Sequence, residues 1–157
     1  MTKPLTQKRL ENIALYYLER FDASSTKLQQ VLMRRLQNQK AANIPIDPNT
    51  PEWIQNTVQK MIDLGYVNDK RYVENAVRRL SATGKSARFI FQKLSAEGLP
   101  SDLIQSFLDG SDDLERAQTF VRKKHLGKDY EKDLAKLARA GFSYEIARHA
   151  LKGEDNV

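Results

Sequence analysis

The feature that most constrains the fold is an internal repeat in the second half of the chain. The segments LSAEGLPSDLIQSFLDG (residues 94–110) and LARAGFSYEIARHALKG (residues 137–153) align at an offset of 43 residues. The alignment superimposes apolar positions and the glycines that end helices, such as Gly98 with Gly141. It also superimposes an acidic residue in the first turn of the helix that follows each of these glycines. Self-similarity at a fixed period of this length is typical of stacked helical units.

Apolar residues also recur with helical spacing along nearly the whole chain. Leu10, Ile13, Ala14 and Tyr17, for example, follow the i, i+3, i+4, i+7 pattern of one face of an α-helix. Nine such stripes occur, and no segment alternates polar and apolar residues convincingly enough to predict a strand. The sequence therefore predicts an all-α protein of nine short helices.

Together, the repeat and the stripes predict three tandem three-helix repeats stacked into an elongated, curved array. Repeat 1 covers residues 10–66 with a long loop near 38–51, repeat 2 covers residues 67–110, and repeat 3 covers residues 111–153. In such arrays each unit buries its apolar faces against its neighbours.

Residues that begin and end helices mark the expected boundaries. The prospective N-caps are Ser24, Thr50, Asp69, Ser86, Ser111, Asp129 and Ser143. The glycines that we expect just beyond helix ends are Gly65, Gly84, Gly98, Gly110, Gly127 and Gly141.

The net charge of +6 favours an anionic partner. The chain has no cysteine, so disulfides and thiolate metal sites are excluded. The longest apolar run, IALYYL, is far shorter than the ~20 residues of a membrane span. We therefore expect a cytoplasmic protein whose partner is nucleic acid or a nucleoprotein, and not a membrane.

Basic residues are concentrated in three segments. Lys27–Lys40 contains four lysines and arginines and no acid, Arg71–Lys93 contains six and one glutamate, and Arg116–Lys128 contains five and no acid. If the units stack, these charges join into a stripe suited to a repeating polyanion. An alternative is that they only complement helix C-termini, where each cation stabilises its helix by about 0.3–1 kcal/mol. This alternative would not explain the excess of basic over acidic residues in three separate segments.

Nothing in the sequence predicts catalysis, a metal site or a cofactor. His125 and His149 are isolated among basic residues and are expected to face solvent, and GKS at residues 84–86 lacks the earlier glycine of a phosphate-binding loop. The acidic cluster Asp109, Asp112, Asp113 and Glu115 is expected to place negative charge at a helix N-terminus. We expect five aromatic residues in the core and leave Tyr66 and Tyr72 open; the five are Tyr16, Tyr17, Phe89, Phe91 and Phe107.

The segment DLGYVNDKRYVENAVRRLSATGKSARFIFQKLSAEGL (residues 63–99) resembles the central segment of the RecX family. The family pattern has Leu-Gly-Tyr, an Asp/Asn-Asp pair and an Arg-aromatic pair, which match LGY at residues 64–66, ND at 68–69 and RY at 71–72. The segment KDLAKLARAGFSYEIARHAL also looks like the third repeat of such proteins. The chain departs from the family where a glycine and a proline commonly follow Gly84, and its Arg88 stands one position before the usual arginine.

The resemblance implies a protein without enzymatic activity that binds the RecA nucleoprotein filament. We expect the protein to be a monomer. Such a regulator is expected to inhibit RecA in DNA repair, homologous recombination and the SOS response. The residues that we expect to supply contacts are Arg71, Arg78, Arg79, Lys85, Arg88, Arg122, Lys123, Lys124 and Lys128.

Two alternative functions stay open at this point. The chain could be a helical DNA-binding protein that acts without RecA, or a helical scaffold whose charges serve solubility. Direct binding of a RecX-like protein to single-stranded or duplex DNA is also left open, as is whether it blocks, disassembles or stabilises filaments.

Overall fold

The computed structural model describes residues 3–152 of the chain. Over this range it forms nine α-helices and one short 3-10 helix, and no β-strand. The helices are α1 (Gln7–Arg20), α2 (Ser25–Ala41), α3 (Thr50–Asp63), α4 (Asp69–Ala82), α5 (Ala87–Ala96), α6 (Ser101–Phe107), the 3-10 helix (Gly110–Asp112), α7 (Asp113–Lys123), α8 (Tyr130–Arg139) and α9 (Tyr144–Lys152). The predicted all-α class is confirmed.

The chain divides into two compact units, the first ending at Tyr72 and the second beginning at Val73. The division into repeats of residues 10–66, 67–110 and 111–153 stays a prediction, and Gly153 lies outside the described residues. The loop predicted near 38–51 is shorter than expected. It covers residues 42–49, because α2 continues to Ala41, with Gln39 buried and its Nε2 donating to the Lys3 carbonyl at 3.0 Å.

The first unit has a core built by α1, α2 and α3, which pack against one another. Leu10, Leu28, Leu32 and Ile54 are completely buried there, in accordance with the predicted apolar stripes. At the edge of this core, the backbone N–H and Oγ of Ser25 donate to the Asp69 carboxylate at 2.7 and 2.6 Å. These bonds hold the start of α2 against the first turn of α4.

The second unit has a core in which α7 and α8 both pack against α9. Its buried residues include Ala117, Leu137, Phe142 and Ala147. Helices α5 and α6 pack together in the same unit. Their apolar faces are buried at residues that include Ile90, Leu94 and Ile104.

Four of the predicted N-caps are confirmed. Ser24, Ser86, Asp129 and Ser143 each accept a hydrogen bond from the backbone N–H three residues later, at 3.1 to 3.3 Å. Such a bond satisfies one of the amide groups that a helix leaves without an internal partner at its start.

The other three predicted N-caps are wrong. Thr50 is already the first residue of α3, and its hydroxyl donates to the Asp47 carbonyl at 2.7 Å. Asn68 caps α4, because its Oδ1 accepts from the Arg71 backbone N–H at 3.0 Å while Asp69 is bound to Ser25. Ser111 lies within the 3-10 helix, and Asp112 is the residue that precedes α7.

The predicted helix ends are confirmed at Gly65, Gly84, Gly98 and Gly141, which all have positive φ just beyond a helix. Gly110 is an exception because it begins the 3-10 helix. Gly127 is the other exception. Helix α7 ends earlier, where His125 adopts a left-handed φ of 53° and the Leu126 N–H donates to the Val121 carbonyl at 3.0 Å.

Gly84 is required for more than its φ of +84°. A Cβ atom at this position would lie 2.7 Å from the backbone nitrogen of Phe120 and 2.9 Å from its Cα. The turn after α4 therefore packs directly on the backbone of α7. Gly65 has nearly the same φ, +83°, but a Cβ atom there would meet nothing within 4 Å. Comparing the two glycines therefore separates the effect of the backbone conformation from the effect of the contact with α7.

Gly84→Ala is expected to lower the free energy of unfolding by more than Gly65→Ala. Both substitutions place an L-residue in the left-handed region, which lowers the free energy of unfolding by about 1–2 kcal/mol. Gly84→Ala adds a collision with backbone, and overpacking of this kind costs a further ~1–3 kcal/mol. Urea denaturation followed by circular dichroism measures both variants, and equal losses would show that the contact with α7 is unimportant.

Candidate functional site

The outer face of α4 presents basic side chains in the second unit. Val73, Ala76 and Val77 are buried, whereas Arg78 and Arg79 are exposed on the opposite side of the helix. Glu74 lies 3.4 Å from Arg78 in an exposed i, i+4 ion pair, which stabilises the helix by only a few tenths of a kcal/mol. Arg79 has no ion-pair partner among residues 3–152. In the first unit, Arg71 is also exposed, in the first turn of α4.

The C-terminal end of α7 presents a second basic group. Arg122, Lys123, Lys124 and Lys128 are all exposed, and the described part of the chain places no carboxylate within ion-pair distance of them. Arg122 lies opposite the buried face and donates through Nη2 to the Thr119 hydroxyl at 3.2 Å. These four predicted residues are therefore available to an anionic partner.

Arg116, by contrast, is a buried part of the second unit, only 4% exposed. Its Nε donates to the Ser81 hydroxyl at 3.0 Å, and its Nη1 donates to the Asp109 carbonyl at 2.9 Å and the Asp113 carboxylate at 3.2 Å. Asp113 also accepts from the backbone N–H of Ala87 at 2.8 Å, so one carboxylate joins the starts of α5 and α7. Arg116 is thus a structural residue, and its charge does not contribute to the exposed basic segment.

The acidic cluster lies where the sequence predicts, before and within the first turn of α7. Asp112 precedes the helix, and Asp113 and Glu115 are in its first turn. The backbone N–H and then the hydroxyl of Ser111 hold the pKa of the Asp109 carboxyl below its ordinary value. Among residues 3–152, no three acidic, histidine or cysteine side chains are grouped so that they could hold a metal ion.

Lys85, in the turn before α5, lies beside an aromatic ring in the first turn of that helix. The Lys85 Nζ lies 4.9 Å from the centre of the Phe89 ring, within the range of a cation–π interaction. Ser86 is completely buried; it caps α5 and donates through Oγ to the Ala140 carbonyl at 2.9 Å. Arg88 is exposed beside this junction.

Arg88 lines a groove between α5 and the end of α8. Phe89 and Gln92 line it from the same helix, and Arg139 lines it from α8. Arg139 was not among the predicted site residues. In the sequence it resembles an ordinary last-turn cation of a helix. It lines the same groove as Arg88 only because the end of α8 and the turn after it approach the start of α5. We refer to this groove as the α5–α8 groove.

Two of the aromatic residues expected in the core are instead substantially exposed. Tyr16 is 62% and Phe89 is 37% exposed, whereas Tyr17, Phe91 and Phe107 are partly buried. Tyr16 lies under the guanidinium of Arg20, with 3.7 Å between the Arg20 Cζ and the ring centre. Both exposed rings therefore pair with a cation, an arrangement that helical periodicity does not distinguish from core packing.

The two histidines, His125 and His149, are exposed, as predicted. Within residues 3–152, none of the helices combines the length and the apolarity that crossing a membrane requires. Over residues 3–152, the chain is therefore an all-helical protein that presents exposed basic side chains.

Comparison with known proteins identifies the family. No protein-family model matches the sequence. The chain is 33% identical over 156 residues to the regulatory protein RecX of Myxococcus xanthus (strain DK1622), covering 90% of this chain and 83% of the relative. It is 27% identical over 153 residues to the regulatory protein RecX of Agrobacterium fabrum, covering 89% of this chain and 80% of that protein. The chain belongs to the RecX family.

Solved structures agree on the fold. The crystal structure of RecX from Lactobacillus salivarius matches with a TM-score of 0.68 at 23% identity, covering 96% of this chain and 97% of the other. A second crystal structure of a regulatory protein RecX matches with a TM-score of 0.65 at 19% identity, covering 94% of this chain and 72% of the other. At these identities the likeness concerns the fold alone.

Arg116→Gln is expected to lower the free energy of unfolding by about 3 kcal/mol, because it leaves the largely buried Asp113 carboxylate without its cation. Arg122→Gln is the matched control, since Arg122 is exposed on the same helix and its loss should change stability by less than about 0.5 kcal/mol. Urea denaturation of both variants measures the difference. A loss as small as that of Arg122→Gln would contradict the structural role of Arg116.

Proposed function

We propose that this chain regulates the recombinase RecA by binding the RecA–DNA filament and inhibiting its activity in DNA repair and recombination. The observation that most supports the proposal is membership of the RecX family, at 33% identity over 90% of the chain. The proposed mode of action is binding as a monomer, without catalysis.

The proposed contacts are basic side chains on the solvent side of the helices and their turns. They are Arg71, Arg78, Arg79, Lys85, Arg88, Arg122, Lys123, Lys124 and Lys128. Eight of these nine residues are exposed and Lys85 is half-buried. Arginine is well suited to this role, since its planar guanidinium binds carboxylates and phosphates through two parallel hydrogen bonds.

The physical basis of the proposal is complementarity of charge. Lysines and arginines that neutralise DNA phosphates release condensed counterions, so the affinity for the filament is expected to fall as salt is raised. Contacts to carboxylates on a protein surface would also weaken with salt, through screening. The net charge of +6 favours approach to either kind of anion.

RecA's ATP hydrolysis on single-stranded DNA tests the proposal directly. The chain is titrated into the reaction before and after the filament forms. Inhibition well below one molecule per RecA, stronger when the chain is present before assembly, indicates that filament growth is blocked at an end. An absence of any effect at an excess over RecA would contradict the proposed function.

The double charge reversal Arg78→Glu with Arg79→Glu is expected to raise the concentration needed for half-maximal inhibition at least tenfold. Two cations become anions on an exposed face, so attraction to the filament is replaced by repulsion. The matched control is Lys132→Glu with Lys152→Glu, which makes the same change in net charge at two exposed positions outside the proposed contacts. Circular dichroism checks that both variants keep their helices, and equal effects of the two pairs would remove Arg78 and Arg79 from the interface.

The second candidate function is direct DNA binding without RecA, which the exposed cations of α4 and α7 favour. This alternative predicts tight binding of duplex DNA in the absence of RecA. The logarithm of its affinity should fall with the logarithm of salt, at a slope of about −0.9 per contacted phosphate. Tight duplex binding together with unaltered RecA activity would favour this function over regulation of the filament.

A further inference from the structure

The α5–α8 groove in the second unit has a composition that simple charge complementarity does not require. It encloses about 260 Å³ and combines two guanidinium groups, an aromatic ring and an amide, from Arg88, Arg139, Phe89 and Gln92. The ring is 37% exposed although its neighbours Ile90 and Leu94 are completely buried or nearly so. The accessible ring beside these cations offers a stacking surface in addition to positive charge.

The walls of the groove are held in place by buried contacts. Ser86 Oγ accepts from the Phe89 N–H at 3.1 Å and donates to the Ala140 carbonyl at 2.9 Å, so a single hydroxyl joins α5 to the end of α8. A Cβ atom on Gly141 would lie 2.5 Å from that hydroxyl, which shows how closely the turn after α8 approaches α5. The groove thus exists before any ligand binds.

The charge inside the groove is uncompensated. Within residues 3–152, neither Arg88 nor Arg139 has a carboxylate at ion-pair distance, in contrast to Arg78 and Arg116. The nearby Lys85 adds a third cation, since its Nζ lies 4.9 Å from the Phe89 ring centre. An anionic group that enters the groove would supply the missing negative charge.

We propose that the α5–α8 groove binds one nucleotide of single-stranded DNA, with the base against Phe89 and the phosphate between Arg88 and Arg139. Gln92 is placed to exchange hydrogen bonds with the edge of the base. The inference rests on the proposed function, because the filament is what would bring single-stranded DNA to this chain. It assigns Phe89, Gln92 and Arg139 a role that charge alone does not predict.

Single-stranded nucleic acid fits the groove better than an acidic protein segment or duplex DNA. A carboxylate would use the arginines but would gain little from an exposed ring and an amide, whereas every nucleobase has a face that stacks on aromatic residues. In a duplex, the base faces are already stacked on one another and are not accessible to Phe89. The volume is also below the roughly 300–1,000 Å³ of pockets that hold whole drug-sized molecules, which suits one unit of a longer polymer.

The test is fluorescence anisotropy of a labelled oligo-dT of about 16 nucleotides, the upper site size of a small single-strand binding domain, titrated with the full chain at fixed salt. Phe89→Leu keeps an apolar side chain but removes the ring, and it is expected to weaken binding about five- to hundredfold. Phe89→Tyr keeps the ring and should bind within about twofold of the unaltered chain. Duplex DNA and polyglutamate serve as comparison probes that offer charge without accessible bases.

Arg139→Gln supplies the charge test, with Lys152→Gln as its matched control at an exposed position on α9, outside the groove. Arg139→Gln should weaken oligo-dT binding clearly more than Lys152→Gln, although both remove one positive charge. Thermal melting by circular dichroism checks that the variants fold. If Phe89→Leu does not fold, Gln92→Ala and Arg139→Gln test the groove without altering the ring.

The possible results separate the inference from the proposed function. The groove proposal is overturned if oligo-dT does not bind, or if Phe89→Leu changes the affinity for oligo-dT by less than about twofold. Either result overturns it even if RecA is still inhibited. A groove-dependent affinity for oligo-dT without any effect on RecA ATP hydrolysis would instead sustain the groove and overturn the proposed function. Loss of polyglutamate binding in Arg139→Gln with oligo-dT binding unchanged would assign the groove to acidic protein segments and overturn the nucleotide proposal.

Discussion

Each helix of this chain depends on burying one of its faces, because most of the helices are too short to be stable alone. In the described range they extend from 7 residues in α6 to 17 in α2, and isolated helices shorter than ~12–15 residues are marginal in water. The apolar stripe of each helix is therefore directed to a core, and the opposite side is left to solvent. Arg78, Arg79 and Arg122 are exposed for this reason.

Polar contacts in the second unit then determine how the surfaces of neighbouring helices meet. Asp113 binds both Arg116 and the first N–H of α5, and Ser86 joins the start of α5 to the end of α8. Buried groups of this kind are costly unless they are paired, so they favour one arrangement of the helices over others. The contact of Ser86 with Ala140 also holds the two walls of the α5–α8 groove together.

Much of the local structure could be predicted, because it depends on residues close together in the chain. Helical periodicity identifies the nine helices, and four of the seven expected N-caps lie at the predicted residues. The residues whose surroundings were not predicted correctly have one thing in common. The sequence places Arg116 with the surface cations and Phe89 with the core, and it does not single out Arg139, because the surroundings of all three are supplied by other helices. The junction of Ser86 with Ala140, for instance, joins residues 54 positions apart.

By itself, the sequence determined the helical class, the side of each helix that is apolar, the segments rich in cations and the resemblance to the RecX family. Those properties follow from the order of residues within a few turns and from motifs read directly along the chain. Only the tertiary structure decided which arginine is buried, which aromatic ring stays accessible and which cations share a groove. Two residues with the same local pattern can differ in this way because burial and pairing depend on the helix that packs against them, and periodicity within one helix contains no information about that neighbour.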